Sequence, residues 1–183
     1  MPLPLPKPAT YDDILALPEH VVGEIIDGER FVSPRPAPRL ATASSVIGAD
    51  LVGRCHRRPG DPRGPGGWWI LDEPELHVTG HVLVPDLADW RREHMAELPT
   101  TAYFDLAPDW VCEVVSPKSR RLDRMKKMPK YAEMGVTWLS WSTRWCRQSR
   151  PTNSSQKKPI KFAVSILLRH CQPPRITVLR QAS

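Results

Sequence analysis

Short apolar runs separated by turn-forming residues occupy the middle of the chain. VVGEII and RFVS flank Asp27-Gly28, a dipeptide suited to the positive φ angles of tight turns, so they predict a β-hairpin. WWIL, ELHV, VLV and WVCEVV have the length and the apolar, β-branched composition of further strands. The pattern therefore predicts a chain rich in strands, with the hairpin first.

Helical spacing appears on either side of this hairpin. Thr10 precedes two acidic residues and Pro18 ends the run, which predicts a short helix. Leu40, Ile47 and Leu51 recur at helical intervals, so LATASSVIGADLVGRC predicts a longer helix that covers the sheet.

Two carboxylates interrupt the apolar runs. Glu113 lies inside WVCEVVS, a strand that otherwise reads as buried on both faces. Asp86 follows Pro85, which should end the preceding strand because proline cannot donate to a sheet ladder. A buried carboxylate requires a cation, a metal or a hydrogen-bonding pocket, so both residues are candidates for a functional site.

Asp86 and Glu113 on neighbouring strands could supply oxygen ligands to Mg2+ or Mn2+, because Mg2+ keeps several waters and needs few protein ligands. Lys127 could hold a phosphate, and it lies four residues before Tyr131 and four after Asp123, on one helical face. Structural alternatives remain open. Asp86 could cap a helix or turn before LADWRREHM, Glu113 could pair with an arginine, and the lysines at 126, 127 and 130 could form a solvated face.

Several separated motifs occur in an order that resembles a known family. They are EIIDGERFVSPRP, GGWWILDEPELHV, VLVPDLADWRR and AYFDLAPDWVCEVVSPKSRRLDRMKKMPKYAEMGV, which together span roughly residues 10–137. This order is similar to the Uma-two family of restriction-endonuclease-like proteins. The resemblance implies a PD-(D/E)XK fold of the α/β class: a mixed β-sheet flanked by helices, with a metal-dependent phosphodiesterase site.

The resemblance also implies roles for particular residues. Asp86 and Glu113 match the acidic metal ligands of the family, and Lys127 matches a catalytic lysine moved to the following helix, since Val115 stands where the usual lysine would be. Glu24 matches an early acidic residue that reaches the metal or its water, although an exposed strand acid is an equal alternative. His81 departs from the family, because relatives often carry an acid there.

Charge is unevenly distributed along the chain. The total of 26 basic and 20 acidic residues gives a net charge of +6, but residues 138–183 carry nine basic residues and no acidic ones. Residues 1–137 therefore hold 17 basic and 20 acidic residues, a net charge of −3, so the high isoelectric point does not indicate a basic active site.

These patterns predict three parts: a disordered proline-rich leader (1–9), an endonuclease-like domain (10–141) and a basic, poorly structured tail (142–183). The tail does not resemble the family, and its sequence WSTR becomes Val-Asp-Pro in another reading frame for one set of codons. A frameshift in the coding sequence is therefore our hypothesis for the tail.

The sequence predicts a metal-dependent endonuclease acting on nucleic acid, with DNA the first expected substrate. Two alternatives remain: an inactive remnant of such an enzyme, and a nucleic-acid-binding module that uses the basic tail. Enzymes that cut both strands often act as symmetric dimers, so a homodimer is compatible with this prediction. The four cysteines show no zinc-site spacing, and no apolar run is long enough to span a membrane, so we expect a cytoplasmic protein.

Overall fold

The computed structural model describes residues 7–61, 66–114 and 123–142, which form two four-stranded sheets with helices around them. The helices are α1 (Tyr11–Leu15), α2 (Pro38–Cys55) and α3 (Met128–Glu133), and a π-helical turn (Asp123–Lys127) leads into α3. The strands are β1 (Val21–Ile26), β2 (Glu29–Pro34), β3 (Trp68–Asp72), β4 (Leu76–Val78), β5 (His81–Leu83), β6 (Leu87–Arg91), β7 (Trp110–Val114) and β8 (Trp138–Ser142).

One sheet is antiparallel, with the order β2-β1-β5-β4, and the other has the order β3-β6-β7-β8. In the second sheet β7 and β8 run parallel while the other neighbours are antiparallel, so the sheet is mixed. The predicted α/β class with a mixed sheet is therefore confirmed.

One long antiparallel ribbon belongs to both sheets and bends between them. β3 pairs with β6 and β4 pairs with β5, and the residue register of the first pairing continues unchanged into the second. Regular pairing stops at the bend, because Pro85 has no N–H to donate and Glu73 takes a φ of 45°. The N–H of Glu73 still donates to the carbonyl of Asp86 at 3.1 Å. The bend therefore places Asp86 where the two sheets separate.

The mixed sheet is buried on both faces. On one face Leu87 and Ile70 pack against the apolar side of α2, and on the other Ala88 and Trp90 join a cluster that includes Tyr131 of α3. Successive side chains of a strand point to opposite faces, so burial on both sides explains why β6 and β7 lack polar alternation.

The local elements predicted near the N-terminus are confirmed. β1 and β2 form a hairpin whose turn residues, Asp27 and Gly28, have φ angles of 54° and 73°. Thr10 and Asp13 form a capping box at the start of α1, and α2 begins at Pro38 rather than at Leu40.

One structural alternative for Asp86 is wrong. Leu87–Arg91 is strand β6, so Asp86 does not cap a helix over this segment. Residues 1–6 of the predicted leader, Val115, and residues 143–183 of the predicted tail lie outside the described residues, so the three-part division remains a prediction. Within the described residues, no helix is long and apolar enough to span a membrane.

Asp89 on β6 gives a prediction about stability. Its side chain is only 3% exposed, and it lies between Ile70 and Trp110 on the neighbouring strands. Its Oδ1 is a buried atom that accepts no hydrogen bond from any described residue. Desolvation raises the pKa of this carboxyl well above its usual value. The folded state must therefore keep a proton that the unfolded chain releases near pH 4.

The sign follows from the raised pKa: the contribution of Asp89 is fully present below its unfolded pKa and is lost as pH rises through the folded pKa. We expect Asp89→Asn to become more stable relative to wild type as pH rises above about 4, by up to about 1.4 kcal/mol per pH unit until Asp89 ionises. Urea denaturation at several pH values measures this difference. The exposed Asp105→Asn variant is the control, and parallel curves for Asp89→Asn and wild type would contradict a protonated Asp89.

Candidate active site

The bend in the ribbon positions Asp86 beside the end of β7. Oδ2 of Asp86 accepts the backbone N–H of Val114 at 2.5 Å, and Val114 directly follows Glu113. The Ser44 hydroxyl of α2 lies 3.5 Å from the carbonyl oxygen of Asp86. The two predicted metal ligands therefore lie at adjacent strand ends of the mixed sheet.

Glu113 is buried on the face of β7 that packs against α3, and it is only 4% exposed. One of its oxygens, Oε1, accepts hydrogen bonds from Lys127 Nζ at 2.7 Å and from the Tyr131 hydroxyl at 2.5 Å. Among the described residues, the charged partner of Glu113 is Lys127 and not the arginine considered as an alternative.

Lys127 connects Glu113 to the first hairpin. Its Nζ lies 3.0 Å from Glu24 Oε1 and 3.2 Å from the carbonyl oxygen of Val84, in addition to its contact with Glu113. An ammonium has three N–H donors, so these three oxygens use all of them. The solvated-face alternative is therefore wrong for Lys127, which is 4% exposed.

Two opposing effects set the pKa of Lys127. Desolvation by burial lowers the pKa, but the combined attraction of Glu113 and Glu24 outweighs it, so the pKa rises well above its usual value. Lys127 therefore remains a cation at neutral pH. Its charge compensates two buried carboxylates that would otherwise have no cationic partner among the described residues.

Glu24 is a buried strand residue, and one of its carboxylate oxygens accepts two hydrogen bonds. Its Oε1 accepts the N–H of Val84 at 2.9 Å as well as the Lys127 ammonium, and the side chain is 3% exposed. The N–H of Val84 lies at the bend, where the ladder of the ribbon is interrupted, so Glu24 satisfies it. The alternative of an exposed strand acid is wrong for Glu24.

Surface ion pairs fix the segment that carries Lys127. Lys126 Nζ lies 3.7 Å from Glu29, and Lys130 Nζ lies 2.6 Å from Asp27. Gly135, with a φ of 87°, follows α3 in the left-handed conformation typical of helix ends. The π-helical turn and α3 are thus held against the β1–β2 hairpin on both sides of Lys127.

Tyr131 is the site residue to which sequence reasoning assigned no role. It is 1% exposed. Burial, and to a lesser extent the nearby Glu113 charge, raises the pKa of its hydroxyl well above the usual value, so the hydroxyl stays protonated. Its position four residues after Lys127 was the available signal, and both side chains do reach Glu113. The side chain of Asp123 lies outside the described residues.

The structure thus brings Glu24 and Glu113 into contact with Lys127, and it places Asp86 beside them through Val114. Among the described residues, no three acidic, histidine or cysteine side chains form a ready-made metal cage. His81 does not join the cluster: its Nδ1 accepts the N–H of Asp27, and its Nε2 lies 3.5 Å from Glu133.

Comparison with known proteins identifies the chain. A family model described as "Putative restriction endonuclease", that of the Uma-two family, matches residues 10–163 of the 183-residue sequence. The chain belongs to the Uma-two family. The match ends at residue 163, beyond residue 137 where the resemblance in the motifs ends.

A solved structure supports the same fold. The crystal structure of a "putative nuclease belonging to DUF820" from Anabaena variabilis ATCC 29413 aligns with a TM-score of 0.52 at 21% identity, and the alignment covers 72% of this chain and 73% of that one. This structural similarity shows that the Uma-two chain has the restriction-endonuclease-like fold. No curated protein matches the sequence.

Proposed function

We propose that this protein is an endonuclease that uses a divalent cation, Mg2+ or Mn2+, to hydrolyse phosphodiester bonds of nucleic acid, with DNA as the expected substrate. The observation that carries the proposal is the buried cluster of Glu24, Glu113 and Lys127 beside Asp86. With its carboxylates ionised, this set has a net charge of −2, which one divalent cation neutralises. Membership of the Uma-two family supports a nuclease.

The donor chemistry of the cluster fits such a cation. Asp86 and Glu113 offer carboxylate oxygens, the ligands that Mg2+ and Mn2+ favour, and Mg2+ needs only one or two of them. Both described donors to Glu113 bind Oε1, and Oε2 accepts no hydrogen bond from any described residue. When bound, the cation would lower the pKa of a coordinated water, which makes that water a better nucleophile, and would neutralise charge that develops on the phosphate.

Lys127 and Glu24 hold the proposed cation ligand Glu113 in place. Lys127 pairs with Glu113, and Glu24 fixes the position of Lys127 through a second pair. Lys127 can reach a phosphate oxygen only by exchanging one of its three bonds. The bond to the uncharged carbonyl of Val84, at 3.2 Å, is the longest and is the one we expect to be exchanged.

Cleavage of supercoiled plasmid DNA with Mg2+ or Mn2+, and its loss on chelation, tests the proposal. We expect Asp86→Asn to lower the cleavage rate by at least about 100-fold, since a metal ion supplies several kcal/mol of transition-state stabilisation. Asp50→Asn, which changes an acid paired with Arg54 on α2, should cleave like wild type.

Cation binding without cleavage of DNA or RNA would favour the inactive remnant. Cleavage that survives complete chelation would contradict a divalent cation in the mechanism.

A further inference from the structure

Two donors from adjacent turns of one helical segment meet on a single oxygen of Glu113. The Tyr131 hydroxyl donates to Oε1 at 2.5 Å and Lys127 Nζ donates to the same atom at 2.7 Å. A carboxylate oxygen has two lone pairs, so these donors occupy the accepting capacity of Oε1. The rotation of the carboxylate about its terminal bond is therefore fixed by the protein.

The second oxygen of Glu113 has a different environment. Oε2 accepts no hydrogen bond from the part of the chain that the structure describes. It is the atom of Glu113 that remains able to bind a cation.

The residues packed around Tyr131 hold its hydroxyl in a fixed position. The ring packs in the cluster formed with Val111 and Met134, and the helix is held to the first hairpin by the pair between Lys130 and Asp27. Lys127 also contacts Oε1, but its ammonium divides its three donors among Glu113, Glu24 and the carbonyl of Val84. The phenol has a single O–H donor, and it gives that donor to Oε1.

We propose that Tyr131 is a positioning residue that holds Glu113 Oε1 and so directs Oε2 to the divalent cation. The inference rests on the proposed function, because it assumes that Glu113 is a cation ligand. Partners that orient metal ligands typically contribute 10–100-fold to metal affinity or activity. Tyr131 would act through Glu113 without touching the cation or the phosphate.

The test is calorimetric titration of Mn2+ into wild type and Tyr131→Phe. Phenylalanine keeps the ring and removes only the hydroxyl, so we expect a folded protein whose Mn2+ affinity is about 10–100-fold weaker. The matched control is Tyr103→Phe, since Tyr103 stacks on His77 and has no contact with Glu113 among the described residues. This control should bind Mn2+ like wild type.

Cleavage measured against Mn2+ concentration separates positioning from a general structural effect. Because the variant keeps every group that acts on the phosphate, saturating Mn2+ should restore its maximal rate to within a few-fold of wild type. Unchanged Mn2+ affinity in Tyr131→Phe would overturn the inference, as would a lost rate that saturating Mn2+ does not restore. Failure of wild type itself to bind Mn2+ would instead overturn the proposed function, and the inference with it.

Should Tyr131→Phe prove unfolded by circular dichroism, 3-fluorotyrosine placed at position 131 alone keeps the hydroxyl donor and makes it a stronger hydrogen-bond donor. An Mn2+ affinity that changes with this substitution supports the inference, and an identical affinity overturns it.

Discussion

Replacing Lys127 by methionine should lower the free energy of unfolding by about 3–5 kcal/mol, because it leaves two buried carboxylates without their cation. Glu24 and Glu113 lie 3.0 and 2.7 Å from Nζ, and both are almost fully buried. Methionine keeps most of the volume of the side chain, so lost packing contributes little. Urea denaturation followed by tryptophan fluorescence, without divalent cations, measures the effect. Since whole domains are stable by only about 5–15 kcal/mol, part of the variant could unfold.

Lys126→Met is the matched control, because Lys126 is the adjacent residue and its pair with Glu29 is exposed at 3.7 Å. Exposed pairs contribute at most about 1 kcal/mol, so this variant should remain near wild type. A loss below about 1 kcal/mol in Lys127→Met would contradict an essential role for the ammonium in the buried cluster. Mn2+ added to Lys127→Met should restore part of its stability, because a cation that binds the folded state stabilises it.

Glu113→Gln should abolish measurable Mn2+ binding and lower DNA cleavage by at least about 100-fold, since it removes the charge of a proposed cation ligand. The amide oxygen of glutamine can still accept from Tyr131 and Lys127, so we expect the fold to persist. Calorimetry measures the binding, plasmid cleavage measures the rate, and circular dichroism checks the fold.

The control for this variant is Glu133→Gln, which changes an exposed acid paired with Lys130 outside the cluster. It should bind Mn2+ and cleave like wild type. Wild-type Mn2+ affinity in Glu113→Gln would show that Glu113 serves only as the partner of Lys127, and the cation ligands would then have to be sought elsewhere.

Sequence patterns predicted the local elements and singled out the residues of the candidate site. Asp27-Gly28 predicted the first hairpin because few dipeptides tolerate positive φ at both positions. Glu113 stood out because a charge inside an apolar strand requires a partner, and the structure shows that partner to be Lys127. The order of the motifs predicted the family, and the match over residues 10–163 confirms it.

The sequence left the strand β6 undecided, because Leu87–Arg91 is short and has no strand alternation. Its conformation comes from pairing with β3 and β7 and from burial on both faces, which no local pattern encodes. For the same reason, Asp89 gave no signal that its carboxyl would be buried with no described residue to donate to Oδ1.

Only the tertiary structure determined which residues of the site contact one another. Glu24 and Lys127 come from opposite ends of the domain, and their contact depends on the docking of α3 against the β1–β2 hairpin. The selection of Oε1 of Glu113 by Tyr131 depends on atomic distances that spacing cannot give. Local propensity and burial requirements act along the chain and can be read from the sequence, whereas ion pairs and hydrogen bonds between distant segments form only after packing sets their geometry.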